Sequence, residues 1–260
     1  MQNNTITLAA IENFKSQSIM NNKNIVVAHY ESQGRISNGW IEFIILAHNY
    51  GYNIQFISTR LNAEYEIKIE RFCKVIRRNN VGYDFKSYQI GLLQIFNQKN
   101  TPKASILINT SIIISNPNKL LAFCESCIKD SHNVRGISIN YIKKQKHIQS
   151  FFLSFPNWII ENNDFRHWWQ SIPLISDRDK VIKDFEIGLS KDLITLKANL
   201  VAPFKPKLVD FLFGKTKNPM FTNWVKIEAE IGIYKEQLVR ENPFKQDITS
   251  LTRNYLNQWL

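Results

Sequence analysis

Between residues 24 and 109, short β-branched runs alternate with stretches whose apolar residues recur every three or four positions. Asn24 to Tyr30 reads as a strand, followed by the polar loop SQGRIS and an apolar helical stretch that ends near Gly51. Asn53 to Thr59 predicts a second strand, Tyr65 to Arg71 a short helix, Phe72 to Ile76 a third strand, Ser87 to Phe96 a helix and Ser105 to Asn109 a fourth strand. Strands alternating with helices at this spacing imply right-handed crossovers and a largely parallel sheet covered on both faces. Ligands of such sheets lie beyond the carboxyl ends of the strands. Four loops converge there by topology alone: His29 to Arg35, Ser58 to Asn62, Arg77 to Ser87 and Asn109 to Ser111.

From residue 134 the pattern changes. Residues 134–140 and 147–155 predict two strands, the second alternating and aromatic-rich, and Trp158 to Gln170 predicts a helix. A further helix follows Arg178, with Val181, Ile182, Phe185, Leu189 and Leu193 on one face and Glu186 at the edge of that face. A regular helical wheel also turns Asp192 onto the apolar face, which argues for an earlier helix end. Trp224, Ile227, Ile231, Tyr234 and Leu238 predict one amphipathic helix stopped by Asn242 and Pro243, and Leu251 to Trp259 a short closing helix.

With 260 residues and 44% hydrophobic content the chain can bury a full core. The longest apolar runs, 40–47 and 150–155, are too short to cross a bilayer, and the polar start MQNNT lacks the order of a signal peptide, so a cytoplasmic protein is expected. A formal charge of +11 favours anionic partners: nucleotides, nucleic acid or an anionic lipid surface. Zinc-finger spacing and recognition motifs for nucleic acid are missing, so no nucleic-acid partner is expected. The mixture of lysines and aromatics at 204–217 suits a linker or a surface that meets the inner membrane leaflet. Cys73, Cys124 and Cys127 form an odd set without an export signal, and the C-x-x-C pair falls inside a helical pattern, so reduced structural thiols are expected.

The segment richest in candidate chemistry is 79–91, where a polar turn with Gly82 leads into a helix that Asp84 or Ser87 can cap. Arg77 and Arg78 precede the turn, Lys86 follows it and Arg35 lies in the first loop; guanidinium groups suit phosphate, and solvated surface cations are the alternative. His29 at a strand end is either a nucleotide contact or a hydrogen-bonded structural group. Trp168 and Trp169 are either sugar-stacking rings or one core and one half-buried tryptophan.

These residues occur in motifs that run in order along the chain: VVAHY (26–30) with QGR (33–35), RRNNVGYDFKSYQIGL (77–92), LINTS (107–111), HIQSFFLSF (147–155), FEIGLSKDL (185–193), NPMFTNW (218–224) and KEQLVRENP (235–243). In this arrangement the chain resembles the rhamnan synthesis protein F family, glycosyltransferase-like proteins of bacterial surface polysaccharide assembly. The resemblance implies an α/β fold of GT-A-like, Rossmann-like type: a nucleotide-sugar-binding domain with a mainly parallel central sheet and a helical carboxyl-terminal part. The domain would span 1–203, with a donor half at about 20–130 and an acceptor half at about 131–203, and 204–260 would hold the linker and packed helices.

The activity implied is transfer of a sugar, typically rhamnose from a dTDP donor, to a glycan or lipid-linked acceptor. A non-catalytic or metal-independent donor-binding subunit is the alternative, and a basic nucleic-acid-binding protein, favoured only by the charge, is the lesser one. Donor contacts would come from His29, Tyr30, Arg35, Arg78, Asn80, Gly82, Tyr83, Asp84, Ser87, Asn109, Thr110 and Ser111. Acceptor contacts would come from His147, Gln149 and Ser150, and Glu186 would be the general base. In the family the fourth strand ends Asn-Asp-Ser, the Asp occupying the position expected for the metal-linked carboxylate of GT-A enzymes. Here Thr110 stands in its place, which leaves a Mg²⁺ or Mn²⁺ cofactor in question and passes the load to Asp84 or to basic groups.

Overall fold

A computed structural model describes residues 23–142, 145–175, 177–206 and 217–259. Its centre is a seven-stranded sheet in the order β10-β6-β9-β4-β1-β2-β3. The strands are β1 (Lys23–His29), β2 (Tyr52–Ser58), β3 (Lys74–Arg77), β4 (Ala104–Asn109), β6 (Val134–Gly136), β9 (Phe152–Pro156) and β10 (Leu200–Val201). β3, β2, β1 and β4 run parallel, β9 runs antiparallel to both β4 and β6, and β10 is parallel to β6. The α/β architecture and mainly parallel sheet expected from the alternating pattern are therefore present.

Burial on both faces follows from the two-residue period of a strand. Ile25 and Val27 of β1 face one side, with Trp40, Phe43, Ile44 and Ala47 of α1 (Asn38–Asn49). Val26 and Ala28 face the other, with Phe85, Tyr88, Leu92 and Ile95 of α3 (Tyr83–Phe96), which follows α2 (Ala63–Ile69) in the chain. Cys124 and Cys127 are free and buried within α4 (Pro117–Lys129), whose start is capped by the Asn116 side chain accepting from Lys119 N. Burial pushes both thiols up, which keeps them protonated and unreactive.

Several predicted elements divide further. The strand expected at 134–140 is β6 followed by β7 (Ile139–Ile142), and that at 147–155 is β8 (Gln145–Ile148) followed by β9; β7 and β8 form their own antiparallel ribbon. The helix expected at 158–170 breaks at Asn162, whose side chain caps the second half by accepting from Phe165 N, giving α5 (Asn157–Glu161) and α6 (Asn163–Ser171). In α6 Trp169 is fully buried and Trp168 half-buried, so the core reading of that pair holds. After α7 (Arg178–Lys180) comes a π-helical stretch, Val181–Ile187, and then α8 (Gly188–Thr195). The widened turns keep Val181, Phe185, Leu189 and Leu193 buried at spacings of four while Asp192 is exposed, so the helix does not end early.

The amphipathic helix expected from Trp224 to Leu238 is also corrected. After the short α9 (Pro219–Thr222), α10 (Trp224–Ile231) stops at Gly232, whose φ of 75° only glycine adopts cheaply. The chain then extends as β11 (Ile233–Lys235), pairs antiparallel with β5 (Ile112–Ile114), and turns into α11 (Glu236–Glu241). A three-and-four spacing of apolar residues was satisfied by helix, strand and helix in succession, all packed inward. The last helix, α12 (Thr249–Asn257), brings Trp259 against the first loop, where Arg35 lies 4.7 Å from its ring. Of the basic segment 204–217, residues 207–216 lie outside the described residues; Phe204 is buried and bonded to Ile137 and Ile139.

Candidate functional site

Register sets the floor of the crevice. His29 is paired with Ser58, Ser58 with Arg77 and Ala28 with Asn109, so the carboxyl ends of β1, β2, β3 and β4 finish side by side. The turn before α3 is held over this row by Arg78. Its Nε donates to Ser87 Oγ at 2.8 Å, Nη1 to the carbonyls of Asn79 and Val81 at 2.8 and 2.6 Å, and Nη2 to the carbonyl of Tyr83. Four donations of a guanidinium to one short loop make Arg78 a clamp that shapes the turn. The expectation that it chiefly grips a diphosphate is thereby narrowed. Capping also differs: Gly82, at φ 78°, is the helix start and no side chain caps it. Ser87 is occupied by Arg78 and Asp84 points across to β4. Tyr83, with φ of 50° and a 42% exposed side chain, is held in a backbone conformation that bulky residues avoid, a strain typical of ligand-facing turns.

Asp84 sits at the centre. Asn109 Nδ2 donates to its Oδ2 at 2.6 Å, and Asn109 Oδ1 accepts from Ser111 N at 3.2 Å and from Ser111 Oγ at 2.5 Å. Lys235 Nζ, arriving on β11, donates to Ser111 Oγ at 2.7 Å and lies 4.1 Å from the Phe151 ring centroid. Asp84 as a residue is half-buried, yet its carboxyl is enclosed, and the enclosure governs its chemistry. Burial pushes this carboxyl up; Lys235, the Asn109 bond and Arg78 pull it down, and Glu186 pushes it up again.

Glu186 thus comes into the field of Asp84 from 102 residues away along the chain. Its Oε1 accepts from Ser150 N at 2.8 Å, and Tyr88 OH donates to Ser150 O at 3.0 Å. Burial, with Asp84 and Glu186 adding to it, pushes the Tyr88 hydroxyl well up, so it stays a hydrogen-bond donor. Glu186 lies on the π-helical stretch, and such local widening turns side chains toward functional clefts. The backbone N–H of Ser150 is thus the group that orients the Glu186 carboxylate.

The other expected residues hold the scaffold around the crevice or lie at its rim. His29 is a structural group: Arg35 O can only accept, so Nε2 carries the hydrogen at 2.9 Å, and Nδ1 accepts from Ser58 Oγ at 2.8 Å. Burial lowers its pKa to about 4, keeping it neutral. Arg35 is paired with Glu31 at 3.3 Å and stacked on Trp259. Tyr30 and Asn80 are exposed at the rim. Thr110 Oγ1 accepts from Tyr30 N at 3.2 Å and reaches Tyr30 O at 3.4 Å, tying β1 to β4. His147 is buried in β8, and the Gln149 side chain accepts from Ser138 Oγ, so of the expected acceptor contacts only Ser150 touches the crevice groups. Ile148 N of β8 donates to Ser190 Oγ of α8 at 3.1 Å and so ties the ribbon to that helix. A cavity of about 940 Å³ lies at the opposite edge, among Asn24, Tyr52, Gln55, Arg71 and Lys74, away from the strand ends where ligands of such sheets bind.

The sequence reading missed Lys235. It opens the motif KEQLVRENP, and the assumption of one long helix concealed that it begins where a strand ends.

The family model for rhamnan synthesis protein F matches residues 54–242, which include the turn, Asn109 to Ser111, Glu186 and Lys235. The chain belongs to the rhamnan synthesis protein F family. A curated relative, the uncharacterised protein y4gN of Sinorhizobium fredii, is 26% identical over 162 residues, covering 60% of this chain and 42% of that protein. The chain thus matches less than half the length of that relative. Among solved structures, the glycosyltransferase GlyE of Streptococcus pneumoniae aligns at 10% identity over 92% of this chain and 60% of its own, with a TM-score of 0.49. Glucosyl-3-phosphoglycerate synthase of Mycobacterium tuberculosis, in complex with phosphoglyceric acid, aligns at 11% over 91% and 88%, with a TM-score of 0.45. The mannosyltransferase PcManGT of Pyrobaculum calidifontis, in complex with GDP-mannose and Mn²⁺, aligns at 5% over 70% and 54%, with a TM-score of 0.42. No described helix is long and apolar enough to cross a membrane.

Proposed function

We propose that this rhamnan synthesis protein F chain is a GT-A-type glycosyltransferase that moves a sugar, rhamnose from dTDP-rhamnose in the preferred reading, onto a glycan of the bacterial surface. The observation that carries the proposal is the meeting of Asp84 and Glu186 beside the parallel strand ends, with Lys235 in the same charged group. The donor nucleotide lies across β1 to β4, with Tyr83 at its edge and the diphosphate toward Asn109 and Ser111. In this reading residues 1–203 form the transferase domain, and the segment from 204 onward packs on it.

The transferred sugar passes through an oxocarbenium-like state. Glu186, whose Oε1 is oriented by Ser150 N, takes the acceptor hydroxyl proton as that oxygen attacks the anomeric carbon. The bond from that carbon to the diphosphate breaks with its electron pair, and nearby cations offset the charge left on the leaving group. The acceptor is a growing or lipid-linked glycan met at the cytoplasmic face of the membrane, as in capsule or O-antigen assembly, where the basic segment 204–217 meets anionic headgroups.

Transfer and hydrolysis measured with dTDP-, UDP- and GDP-sugars test this reading. Turnover of one of them is expected, and Glu186→Gln lowers kcat about 100-fold or more while donor binding stays within about twofold. Binding without any turnover would favour a donor-holding subunit instead. Turnover undiminished in Glu186→Gln would remove Glu186 from the mechanism.

A further inference from the structure

We infer that Lys235 supplies, at the donor's diphosphate, the positive charge that a divalent cation would supply, so that nucleoside diphosphate binding here needs no metal. The inference rests on the reading of the crevice as a nucleotide-sugar site. It starts from the donor set. A hard dication takes oxygen ligands that normally include carboxylates. After β4 the chain offers Thr110, a neutral hydroxyl already engaged with the backbone of Tyr30. Among the described residues no group of three or more His, Cys, Asp and Glu side chains converges. The carboxylates around the crevice are each engaged: Asp84 accepts from Asn109, Glu186 from Ser150 N, Glu31 from Gln33 N and Arg35 N, and Glu236 from Tyr255 OH. The residues present do not fit a divalent cation.

They fit an ammonium. Lys235 Nζ is 2.7 Å from Ser111 Oγ, and its charge is the largest one pulling the Asp84 carboxyl down. A dication placed beside Asp84 would meet this ammonium at close range and be repelled. The position is built rather than incidental. Gly232 ends α10 in a left-handed turn, β11 pairs with β5, and the Phe151 ring supports the cation from one side. Arg78, the other cation acting on Asp84, spends four donations on the turn. An ammonium carries three N–H donors on a flexible stem and binds phosphate as a point charge. During transfer the bond between the anomeric carbon and the β-phosphate oxygen breaks, and that oxygen keeps the electron pair. Lys235 balances the added negative charge without itself being protonated or deprotonated.

Titration calorimetry of the full chain with dTDP, UDP and GDP, in excess EDTA and again with Mn²⁺, tests this. At least one nucleotide is expected to bind in EDTA, with an affinity that Mn²⁺ changes by less than about threefold. Lys235→Met should weaken it about tenfold or more, and Lys235→Arg should hold it within about threefold. Thermal unfolding of each variant separates loss of fold from loss of charge, and Ser111→Ala gives a second, milder probe. Binding that requires Mn²⁺, or folded Lys235→Met binding as well as the parent, overturns the inference and leaves the donor reading standing. Failure of all three nucleotides under both conditions overturns the donor reading itself.

Discussion

His29 illustrates how a residue at a strand end can look like a ligand contact and carry a structural role. Both ring nitrogens are committed, to the Arg35 carbonyl and the Ser58 hydroxyl, and burial lowers its pKa to about 4 from 6.5. The unfolded chain therefore binds a proton below about pH 6.5 that the folded chain refuses until about pH 4. Stability from this group is complete above pH 6.5 and falls as pH drops through that window, by about 3 kcal/mol at full extent. Denaturant unfolding at pH 7, 5.5 and 4.5 should show the parent losing stability more steeply than His29→Gln. Parallel slopes would contradict the assignment. Asp84 acts with the opposite sign, since its carboxyl is raised, but it is present in both proteins and cancels from the comparison.

At the scale of elements, β1, β2 and β4 with α1 and α3 were legible because β-branched runs buried on both faces leave little else for such segments to be. The carboxyl-terminal half was less so, for physical reasons. Helix and strand both bury Tyr234 and Leu238, and only the left-handed backbone at Gly232 decides between them. The break matters for function because it turns Lys235 toward the crevice. A Cβ at Gly232 would lie 2.5 Å from Asn116 O, and the positive φ would cost about 1 to 2 kcal/mol in addition. Gly232→Ala should therefore lower the urea midpoint by an amount matching at least about 1 kcal/mol and weaken nucleotide binding together with it. An unchanged midpoint would show that the turn does not constrain β11. The π-helical stretch under Glu186 had no periodic signature other than Asp192, the misfit on a regular wheel that the widened turns remove.

Across the whole molecule, the row of β1, β2, β3 and β4 termini lies where the alternation placed it. What sequence order alone could not bring together was the charge group, since Asp84, Glu186 and Lys235 come from three separate stretches and meet only through folding. Crystals of the chain grown with a nucleoside diphosphate test the central claim most directly. Nucleotide seated over the ends of β1 to β4, touching Tyr83 and placing its phosphates within hydrogen-bond reach of Lys235 and Ser111, is the predicted result. Nucleotide bound in the cavity of about 940 Å³ at the opposite edge, with the group around Asp84 untouched, would contradict the account.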